Sequence, residues 1–392
     1  MDRHRIVVVG AGYAGLAAAR TAAARTRPDQ VEVTVVNPHG YFVERVRMHQ
    51  VAAGQPAPVH PLAETLAGTG VGLVVARVHR LDPEARTVHA TAADGPLTLT
   101  YDTLVHAPGS TTDTTTVPGV AEHAHTLAEL DTARRTADRV ARSRTPRIAV
   151  VGGGLTGVET AAELAETHPG ARVLLLTRDR LAPGVSRRGR GHLRRVLHRI
   201  GVDVREHTDV TAVHAHGLDL ADGTALRTDV VVWAAGFRAP VLAAEAGIAV
   251  DERGRVVVDA TQRSVSHADV YAVGDAARAA GPDGRALRMA CATGLPMGTA
   301  AGRAIAARLA GRPAPPLRFR YRIRCVSLGW RDGLVQFVDA DDAPREVVLT
   351  GRPAALVKEA VVRGAALTAR RLSGPSARRR CAPGGERSQT RV

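Results

Sequence analysis

Short apolar runs alternate along the chain with longer Ala-rich or amphipathic stretches. Ile6–Val9 and Val31–Val36 consist of strand-forming residues, and they enclose an Ala-rich, helix-like stretch at Gly15–Arg25. The same order begins again at Ile148–Val151. A repeated order of strand, helix and strand predicts an α/β fold built on parallel sheets.

The rest of the chain continues this alternation, with breaks at clusters of Gly and Pro. Asn37-Pro38-His39-Gly40 ends the first unit, and residues 41–54 predict a short helix with loops. Asp94-Gly95 and Asp222-Gly223 predict hairpin turns. The other predicted strands are Val71–Val78, Thr87–Ala90, Leu97–Thr100, Leu104–Ala107, Val173–Leu176, Val202–Arg205, Val210–His214, Asp229–Ala235 and Ala268–Val273, with helices at about 127–142, 296–309 and 353–372.

Two glycine fingerprints follow two of the predicted strands. Gly10-Ala11-Gly12-Tyr13-Ala14-Gly15 comes after Ile6–Val9, and Gly152-Gly153-Gly154-Leu155-Thr156-Gly157 comes after Ile148–Val151. Each fingerprint supplies a tight turn, a bare backbone that a pyrophosphate can approach, and a helix N-terminus whose N–H groups face the anion. Two such sites in one chain predict two bound dinucleotides with electrons passing between them.

Composition is that of an ordinary soluble globular protein, with 45% hydrophobic and 23% charged residues among 392. No apolar run approaches the roughly 18 residues that span a bilayer. The first strand begins too early for a signal peptide, so we expect a cytoplasmic location. The net charge of +15 comes from Arg scattered among acidic residues, and aromatic residues make up only 3%. Without a zinc-finger spacing or an aromatic RNA-binding motif, this charge does not indicate specific nucleic-acid binding.

Cysteine and histidine positions give no sign of a disulfide framework or a metal centre. Cys291, Cys325 and Cys381 are far apart and form no C-x-x-C pair. His214 and His216 lack Cys or carboxylate partners at metal spacing. We therefore predict no metal site.

Further motifs occur in the order found in one family of flavoproteins. Tyr101–Ser110 reads YDTLVHAPGS, and the second fingerprint is followed by Glu159 and Glu163. Asp229–Gly236 reads as the strand that closes the second unit, and Asp269–Asp275 reads DVYAVGD. With its two fingerprints, the chain resembles the FAD-dependent pyridine nucleotide-disulfide oxidoreductases and their relatives without the redox disulfide, a family that binds two dinucleotides.

This resemblance covers roughly residues 5–310 and implies two Rossmann-like domains. An FAD-binding domain, residues 1–110 and 246–310, is interrupted by an inserted NAD(P)H-binding domain at residues 111–245. A C-terminal α+β segment follows at 311–372, and residues 373–392 are expected to be a disordered basic tail.

The resemblance also implies which residues contact the two dinucleotides. Asp275 would accept a hydrogen bond from a ribityl hydroxyl of FAD, and a helix beginning near Pro296 would direct its N-terminal dipole at the flavin. The implied cofactor-binding residues are Gly10, Gly12, Tyr13, Ala14, Gly15, Asn37, Arg45, Gly109, Gly152, Gly154, Leu155, Thr156, Gly157, Glu159, Thr177, Arg178, Gly236, Gly274, Asp275, Pro296 and Met297.

Both ribose positions depart from the family pattern, in which an acid ends the second strand of each unit. Asn37 stands at the first position and can still hydrogen-bond a ribose hydroxyl. Thr177-Arg178 stands at the second, and an Arg there can pair with a 2′-phosphate. This favours NADPH over NADH. The alternative is that Arg178 only reflects the Arg-rich composition of the whole chain and has no role in binding.

The acceptor side differs from that of the disulfide reductases, because residues 42–50 contain no C-x-x-x-x-C. The chain resembles instead the type II NADH dehydrogenase and apoptosis-inducing-factor-like branch. The candidate acceptor-side residues are Glu44, Arg47, His49 and Gln50; the alternative is that they are solvated groups on the surface of a covering helix. Residues 291–298 lack both Gln of the AQxAxQ run of type II NADH dehydrogenases, which weakens a quinone assignment.

The resemblance implies an FAD-dependent NAD(P)H oxidoreductase. A hydride would pass from NAD(P)H to flavin N5, and electrons would then pass to a quinone or another small-molecule acceptor. Glu159 is the candidate catalytic residue, on the nicotinamide side. The alternatives are reduction of a protein carrier such as ferredoxin or rubredoxin, a biosynthetic tailoring flavoenzyme, and a redox-sensing flavoprotein.

The last predicted helix allows two interpretations. Its basic and apolar residues permit peripheral contact with the inner face of the cytoplasmic membrane. Packing against the flavin domain is favoured, because the apolar stripe is ragged and Ala-rich. A homodimer is also compatible with the sequence.

Overall fold

A computed structural model describes residues 2–371 of the chain. Its strands are β1 (His4–Val9), β2 (Val31–Asn37), β3 (Tyr41–Val43), β4 (Val59–Pro61), β5 (Val71–Asp82), β6 (Thr87–Ala92), β7 (Gly95–Thr100), β8 (Thr103–His106), β9 (Thr111–Thr112), β10 (His125–Thr126), β11 (Arg147–Val151), β12 (Arg172–Leu176), β13 (Val202–Arg205), β14 (Val210–His214), β15 (Gly217–Leu220), β16 (Ala225–Arg227), β17 (Val230–Trp233), β18 (Phe237–Arg238), β19 (Val256–Val257), β20 (Val270–Ala272), β21 (Ala277–Arg278), β22 (Ile323–Ser327), β23 (Gly333–Val338) and β24 (Pro344–Thr350).

Helices cover the sheets and connect the strands. The α-helices are α1 (Tyr13–Ala23), α2 (Met48–Ala52), α3 (Leu62–Leu66), α4 (Val120–His123), α5 (Leu130–Ala141), α6 (Leu155–Thr167), α7 (Arg187–Arg199), α8 (Leu242–Glu245), α9 (Cys291–Leu309) and α10 (Gly351–Arg371), with single 3₁₀ turns at Arg45–Arg47 and Gly274–Ala276. This arrangement confirms the predicted α/β class.

The larger sheet runs in the order β20-β8-β1-β2-β5-β6-β7. Its strands from β20 to β5 are parallel, and β6 and β7 add an antiparallel meander. Because β1, β8 and β20 run in one direction, the loops that follow them meet at one edge. That edge brings Gly10, Gly109 and Gly274 together.

The second sheet, β10-β17-β11-β12-β13, is parallel throughout. Ile148 of β11 lies opposite Val173 of β12 on one side and Val230 of β17 on the other. Such a sheet is covered on both faces, which explains its continuous apolar runs. Its carboxyl edge carries Gly152 and Thr177.

Helices α1 and α9 pack so closely that side chains would not fit between them. A Cβ at Gly298 would overlap the Ala14 carbonyl oxygen, and one at Gly302 would lie 2.7 Å from the Ala18 carbonyl oxygen. The Ala-rich sequence of both helices therefore has a packing reason. This contact fixes α1, and with it the first fingerprint, against α9.

The C-terminal part is an antiparallel sheet, β22-β23-β24, followed by α10. Arg20 of α1 donates to the Ala369 carbonyl oxygen of α10 at 2.9 Å. The last helix thus packs against α1, as the packing interpretation expects. The predicted tail at 373–392 lies outside the described residues.

Two local predictions were wrong. Helix α9 begins at Cys291, not near Pro296, so Pro296 lies inside the helix and removes one backbone hydrogen bond. In the segment 41–54, β3 precedes the short helix and pairs with β4, Phe42 lying opposite His60. Alternation over three residues is too short a pattern to be read as a strand from sequence.

Candidate functional site

The first fingerprint folds into a turn with one open position. Gly10 has φ +102°, and a Cβ there would overlap the Ala107 carbonyl oxygen. A Cβ on Gly15 would overlap the Gly10 carbonyl oxygen. A Cβ on Gly12, in contrast, would meet no atom within 4 Å. The two outer glycines close the turn, and the central one leaves space beside the N-terminus of α1.

The second fingerprint repeats this arrangement. Gly152 has φ +127°, a Cβ on Gly157 would overlap the Gly152 carbonyl oxygen, and a Cβ on Gly154 would meet nothing within 4 Å. Gly12 and Gly154 are the N-cap residues of α1 and α6, and no side chain caps either helix. Each helix therefore presents free N–H groups to an open space, as a bound pyrophosphate requires.

Three sequence motifs meet beside the first fingerprint. Ser110 Oγ donates to the Asp275 carboxylate at 2.7 Å, and Arg45 Nη2 donates to the Ser110 carbonyl oxygen at 2.7 Å. A Cβ on Gly274, which has φ +69°, would lie 2.8 Å from the Ala14 Cβ. Asp275 is thus held at the fingerprint by residues from two other strand ends.

The two ribose positions differ in how their side chains are used. Asn37 Oδ1 accepts from the Ala11 N–H at 3.0 Å, and its Nδ2 donates to the His39 carbonyl oxygen at 2.7 Å. The amide therefore shapes the first fingerprint loop. Thr177 is buried against Gly153, and Arg178 is exposed at the end of β12. Of the two residues at the second ribose position, Arg178 is the one whose side chain is exposed and can reach a ligand.

Three of the predicted acceptor-side residues, Glu44, Arg47 and Gln50, are joined in a hydrogen-bonded network, in which Glu44 is buried and the other two are half-buried. Arg47 Nε donates to Glu44 at 3.0 Å, and Arg47 Nη2 donates to Glu359 of α10 at 2.8 Å. His60 Nε2 lies 2.9 Å from the other Glu44 oxygen, and Gln50 accepts from Arg47 Nη1 at 3.2 Å. The network fastens the segment 44–50 to the last helix.

A buried ion pair lies between α6 and α10. Lys358 Nζ is 2.9 Å from Glu159 Oε1, which also accepts from the Ser327 N–H at 2.9 Å. Burial alone would raise the pKa of Glu159, but the Lys358 ammonium outweighs it and the pKa is lowered. Burial alone would lower the pKa of Lys358, but the Glu159 carboxylate outweighs it and the pKa of Lys358 is raised. Both groups are charged at neutral pH.

A histidine and two cysteines surround this pair. His49 is 5% exposed, its Nε2 has no hydrogen-bond partner among the described residues, and burial lowers its pKa to about 4. Burial raises the pKa of the Cys291 and Cys325 thiols, so they are not activated nucleophiles. The neutral imidazole of His49 is the unsatisfied polar group of this cluster.

The sequence matches the family of pyridine nucleotide-disulphide oxidoreductases over residues 4–301. The chain belongs to this family. A NADH dehydrogenase-like protein of Mycobacterium tuberculosis is 32% identical over 383 residues, which cover 91% of this chain and 92% of that protein. A type II NADH:quinone oxidoreductase of Staphylococcus haemolyticus is 25% identical over 392 residues, with 92% and 94% covered.

Solved structures of the same fold include NDH2 from Plasmodium falciparum in complex with NADH, with a TM-score of 0.78, 14% identity, and coverage of 92% of this chain and 94% of that one. The sulfide:quinone oxidoreductase of Aquifex aeolicus has a TM-score of 0.77, 19% identity, and coverage of 94% and 91%. As a pyridine nucleotide-disulphide oxidoreductase family member, the protein is an oxidoreductase whose cofactors are FAD and a pyridine nucleotide, NADPH or NADH. No helix in residues 2–371 is long and apolar enough to cross a membrane.

The geometry fits both cofactors of the family. The open positions at Gly12 and Gly154 leave room for two pyrophosphates, and Tyr13 is buried with a hydroxyl that has no partner among the described residues. The Tyr13 ring packs edge-on against Phe42, with 5.0 Å between centroids. Gly236 has φ +71°, a left-handed conformation that favours glycine, and a Cβ added there would lie 3.0 Å from the Asp113 Cβ.

Some predicted residues lie elsewhere than expected. Met297 is 1% exposed and belongs to the core, and the α9 N-terminus is formed by residues 291–294 instead of Pro296. Glu159 is expected from its spacing on the first turn of the helix after the second fingerprint. It is the fifth residue of α6 and so lies at the start of the second turn. Leu155 and Thr156 form the half-buried first turn of that helix.

Sequence reasoning did not find the partners of the predicted residues. Ser327 and Lys358 both contact Glu159, and Ser110 orients Asp275. One signal was available: Lys358 is the only Lys in a chain with 53 Lys and Arg residues. A compact ammonium retained among so many guanidinium groups indicates a site that Arg does not suit.

Proposed function

We propose that this protein is an FAD-dependent NAD(P)H:quinone oxidoreductase. The observation that carries the proposal is the pair of equivalent glycine turns, each with an open central position and an uncapped helix N-terminus. When bound, FAD supplies the redox chemistry by taking a hydride from NAD(P)H and passing electrons to the acceptor. The relatives named as type II NADH:quinone oxidoreductases, which match over 92% of this chain, support a quinone as acceptor.

The residues of the first fingerprint would hold FAD. The N-terminus of α1 would bind the pyrophosphate at Gly12, and Asp275 would accept a hydrogen bond from the ribityl chain. Asn37, bonded to Ala11 and His39, would use its remaining hydrogen-bonding capacity for the adenosine ribose. Arg45 and Ser110 keep Asp275 and the 109–110 turn in place. The proposal includes a division into two domains according to the two fingerprints. The FAD-binding domain is residues 1–110 and 246–310, and the NAD(P)H-binding domain is residues 111–245.

The second fingerprint would hold the nicotinamide nucleotide. Its pyrophosphate would bind at Gly154, and Arg178 would pair with a 2′-phosphate. This supports NADPH, whereas the names of the relatives refer to NADH. The rates of anaerobic flavin reduction with NADH and NADPH, in the wild type and in Arg178→Ala, decide the preference. Equal wild-type rates would end the NADPH proposal.

The acceptor would bind beside the buried cluster between segment 44–50 and α10. Lys358 and His49 can donate hydrogen bonds to a quinone oxygen, and Glu159 keeps Lys358 charged. Arg47 holds α10 over this region through Glu359. These residues would bind and orient the acceptor and hold the protons that quinone reduction consumes.

Two matched substitutions test the assignment of the two turns. Gly12 and Gly154 have φ −76° and −69°, so Ala fits their backbone, and a methyl group would occupy only the open space. Gly12→Ala should fold normally but lose the flavin absorbance. Gly154→Ala should keep the flavin and raise the KM for the nucleotide about tenfold or more, since tenfold corresponds to about 1.4 kcal/mol. Normal flavin content in Gly12→Ala would refute the assignment.

The acceptor is tested by turnover with menadione, ferredoxin and ferricyanide. Salt-insensitive reduction of menadione is expected, as for a small neutral acceptor. Salt-sensitive turnover with ferredoxin and none with menadione would favour a protein carrier instead.

Flotation with anionic liposomes measures the proposed membrane contact of the last helix, in which Leu356 is 72% exposed. Sedimentation measures the proposed homodimer.

A further inference from the structure

A second buried carboxyl lies behind the Glu159–Lys358 pair. Glu163 follows Glu159 by four residues in α6, so both side chains lie on the same face of the helix. Glu163 is 1% exposed, and Gln55 Nε2 donates to its Oε1. Within residues 2–371, no Lys, Arg or His forms an ion pair with Glu163. A buried carboxyl without a cation is kept neutral by protonation.

The surroundings of Glu163 agree with this. Burial raises the pKa of Glu163 to about 7, the hydrogen bond from Gln55 opposes the rise, and the charges of Glu166 and Glu159 on the same helix add to it. Segment 48–55, packed against this helix, contributes the neutral Gln55 amide. Lys358, on α10, is paired with Glu159. The carboxyl therefore gains and loses a proton within the neutral range.

Quinone reduction requires a proton from the solvent. The reaction NAD(P)H + H⁺ + quinone → NAD(P)⁺ + quinol takes both electrons and one proton from the hydride, and the second proton must reach the acceptor through the protein. The Lys358 Nζ carries a proton beside the proposed acceptor site. If Lys358 gives that proton to the acceptor, Glu159 loses its cationic partner. The affinity of the Glu159 carboxylate for a proton then rises.

We infer that Glu163 is the proton-holding residue that resupplies the Glu159–Lys358 pair, in a relay that runs from Gln55 at the half-buried edge through Glu163 to Glu159. This inference rests on the proposed quinone reductase function. Glu159 and Glu163 lie one turn apart on the same face of α6, so their carboxyl groups can approach each other by side-chain rotation. When they do, the Glu163 O–H bond breaks as an O–H bond forms on Glu159, which then returns the proton to Lys358. Solvent reprotonates Glu163 past Gln55. No electrons move along this path.

The first test measures the proton itself. In the holoprotein, infrared difference spectra between about pH 6 and about pH 9 should show a carboxylic acid C=O band that titrates near neutrality. The band should disappear in Glu163→Gln and persist in Glu166→Gln, a matched change one turn further along α6. A band that persists in Glu163→Gln, or no titrating band in the wild type, would overturn the inference.

The second test separates the proton from the electrons. Glu163→Gln should reduce flavin with NADH at the wild-type rate and reduce ferricyanide normally, because ferricyanide takes up no proton. Its single-turnover reaction with menadione should slow about tenfold or more, as for loss of a proton donor, and should no longer fall with pH. Glu163→Asp should restore part of the rate.

The outcomes distinguish the two proposals. If the wild type reduces no quinone, the proposed function fails and the relay fails with it. If the wild type reduces menadione and Glu163→Gln does so at the same rate throughout this pH range, the relay alone is refuted.

Discussion

Replacing Glu163 by Gln should change how the stability of the protein depends on pH. The folded state raises the pKa of Glu163 from its ordinary value of 4.5 to about 7. Above pH 4.5 the unfolded chain releases this proton while the folded protein retains it, so stability falls as pH rises and levels off above about pH 7. Gln resembles the protonated acid in shape and cannot ionise.

The magnitude follows from the difference between the two pKa values. At about 1.4 kcal/mol per pH unit, the complete penalty is about 3 kcal/mol, of which about 2.5 kcal/mol develops between pH 5 and pH 8. Glu163→Gln should therefore differ little from the wild type at pH 5 and be more stable by about 2 to 3 kcal/mol at pH 8. The side chain is 1% exposed, so solvent does not screen the effect.

Urea denaturation followed by circular dichroism, at the two pH values, measures this difference. Glu166→Gln is the control, because Glu166 is half-buried on the same helix and accepts from the Trp330 N–H. Because the Glu166 charge only adds to the burial that raises the pKa of Glu163, most of the pH dependence of stability should remain in this variant. A constant difference between Glu163→Gln and the wild type would show that Glu163 does not titrate in the folded protein, and would refute the reasoning.

Other substitutions test the contacts around the site. Lys358→Met should destabilise the protein by about 3 to 5 kcal/mol in urea denaturation by leaving the Glu159 carboxyl buried without its cation. Lys358→Arg should not restore menadione turnover, because a guanidinium is larger than the ammonium it replaces. Ser110→Ala should weaken FAD retention in dialysis by leaving Asp275 with one partner fewer, with the unfolding midpoint changed little. Gly298→Ala should lower thermal stability by about 1 to 3 kcal/mol, since its methyl group would overlap α1; a wild-type midpoint would contradict the close packing of α1 and α9.

The fold and the two dinucleotide turns could be predicted because their signals are local. Gly10, Gly12 and Gly15 define a turn by their own spacing, and DVYAVGD at 269–275 ends a strand within seven residues. The start of α9 could not be predicted in this way. Pro296 resembles a helix start, yet the helix begins at Cys291 and continues through the proline because it is packed against α1.

The acceptor side could be predicted only in part, because its chemistry arises from distant contacts. Residues 44–50 were identified by position, but a polar stretch in a sequence does not reveal that Arg47 is enclosed between Glu44 and Glu359. The pairing of Glu159 with Lys358 joins α6 to the last helix and has no sequence pattern of its own. The one sequence signal for this pairing is that Lys358 is the only Lys in an Arg-rich chain.

Helix α10 supplies the charged partners of Glu159 and Arg47 in the proposed acceptor site, although neither glycine fingerprint lies on this helix. Its neighbouring residues Lys358 and Glu359 contact Glu159 on one side and Arg47 on the other. Each contact joins α10 to a part of the chain that is expected to face one of the two cofactors. A substitution in α10 can thus alter acceptor reduction while both dinucleotides still bind. Since Lys358 holds Glu159 charged, the same helix would also determine, in the proposed relay, when Glu159 accepts a proton from Glu163. In the proposed mechanism, acceptor binding and proton supply therefore both depend on the packing of α10.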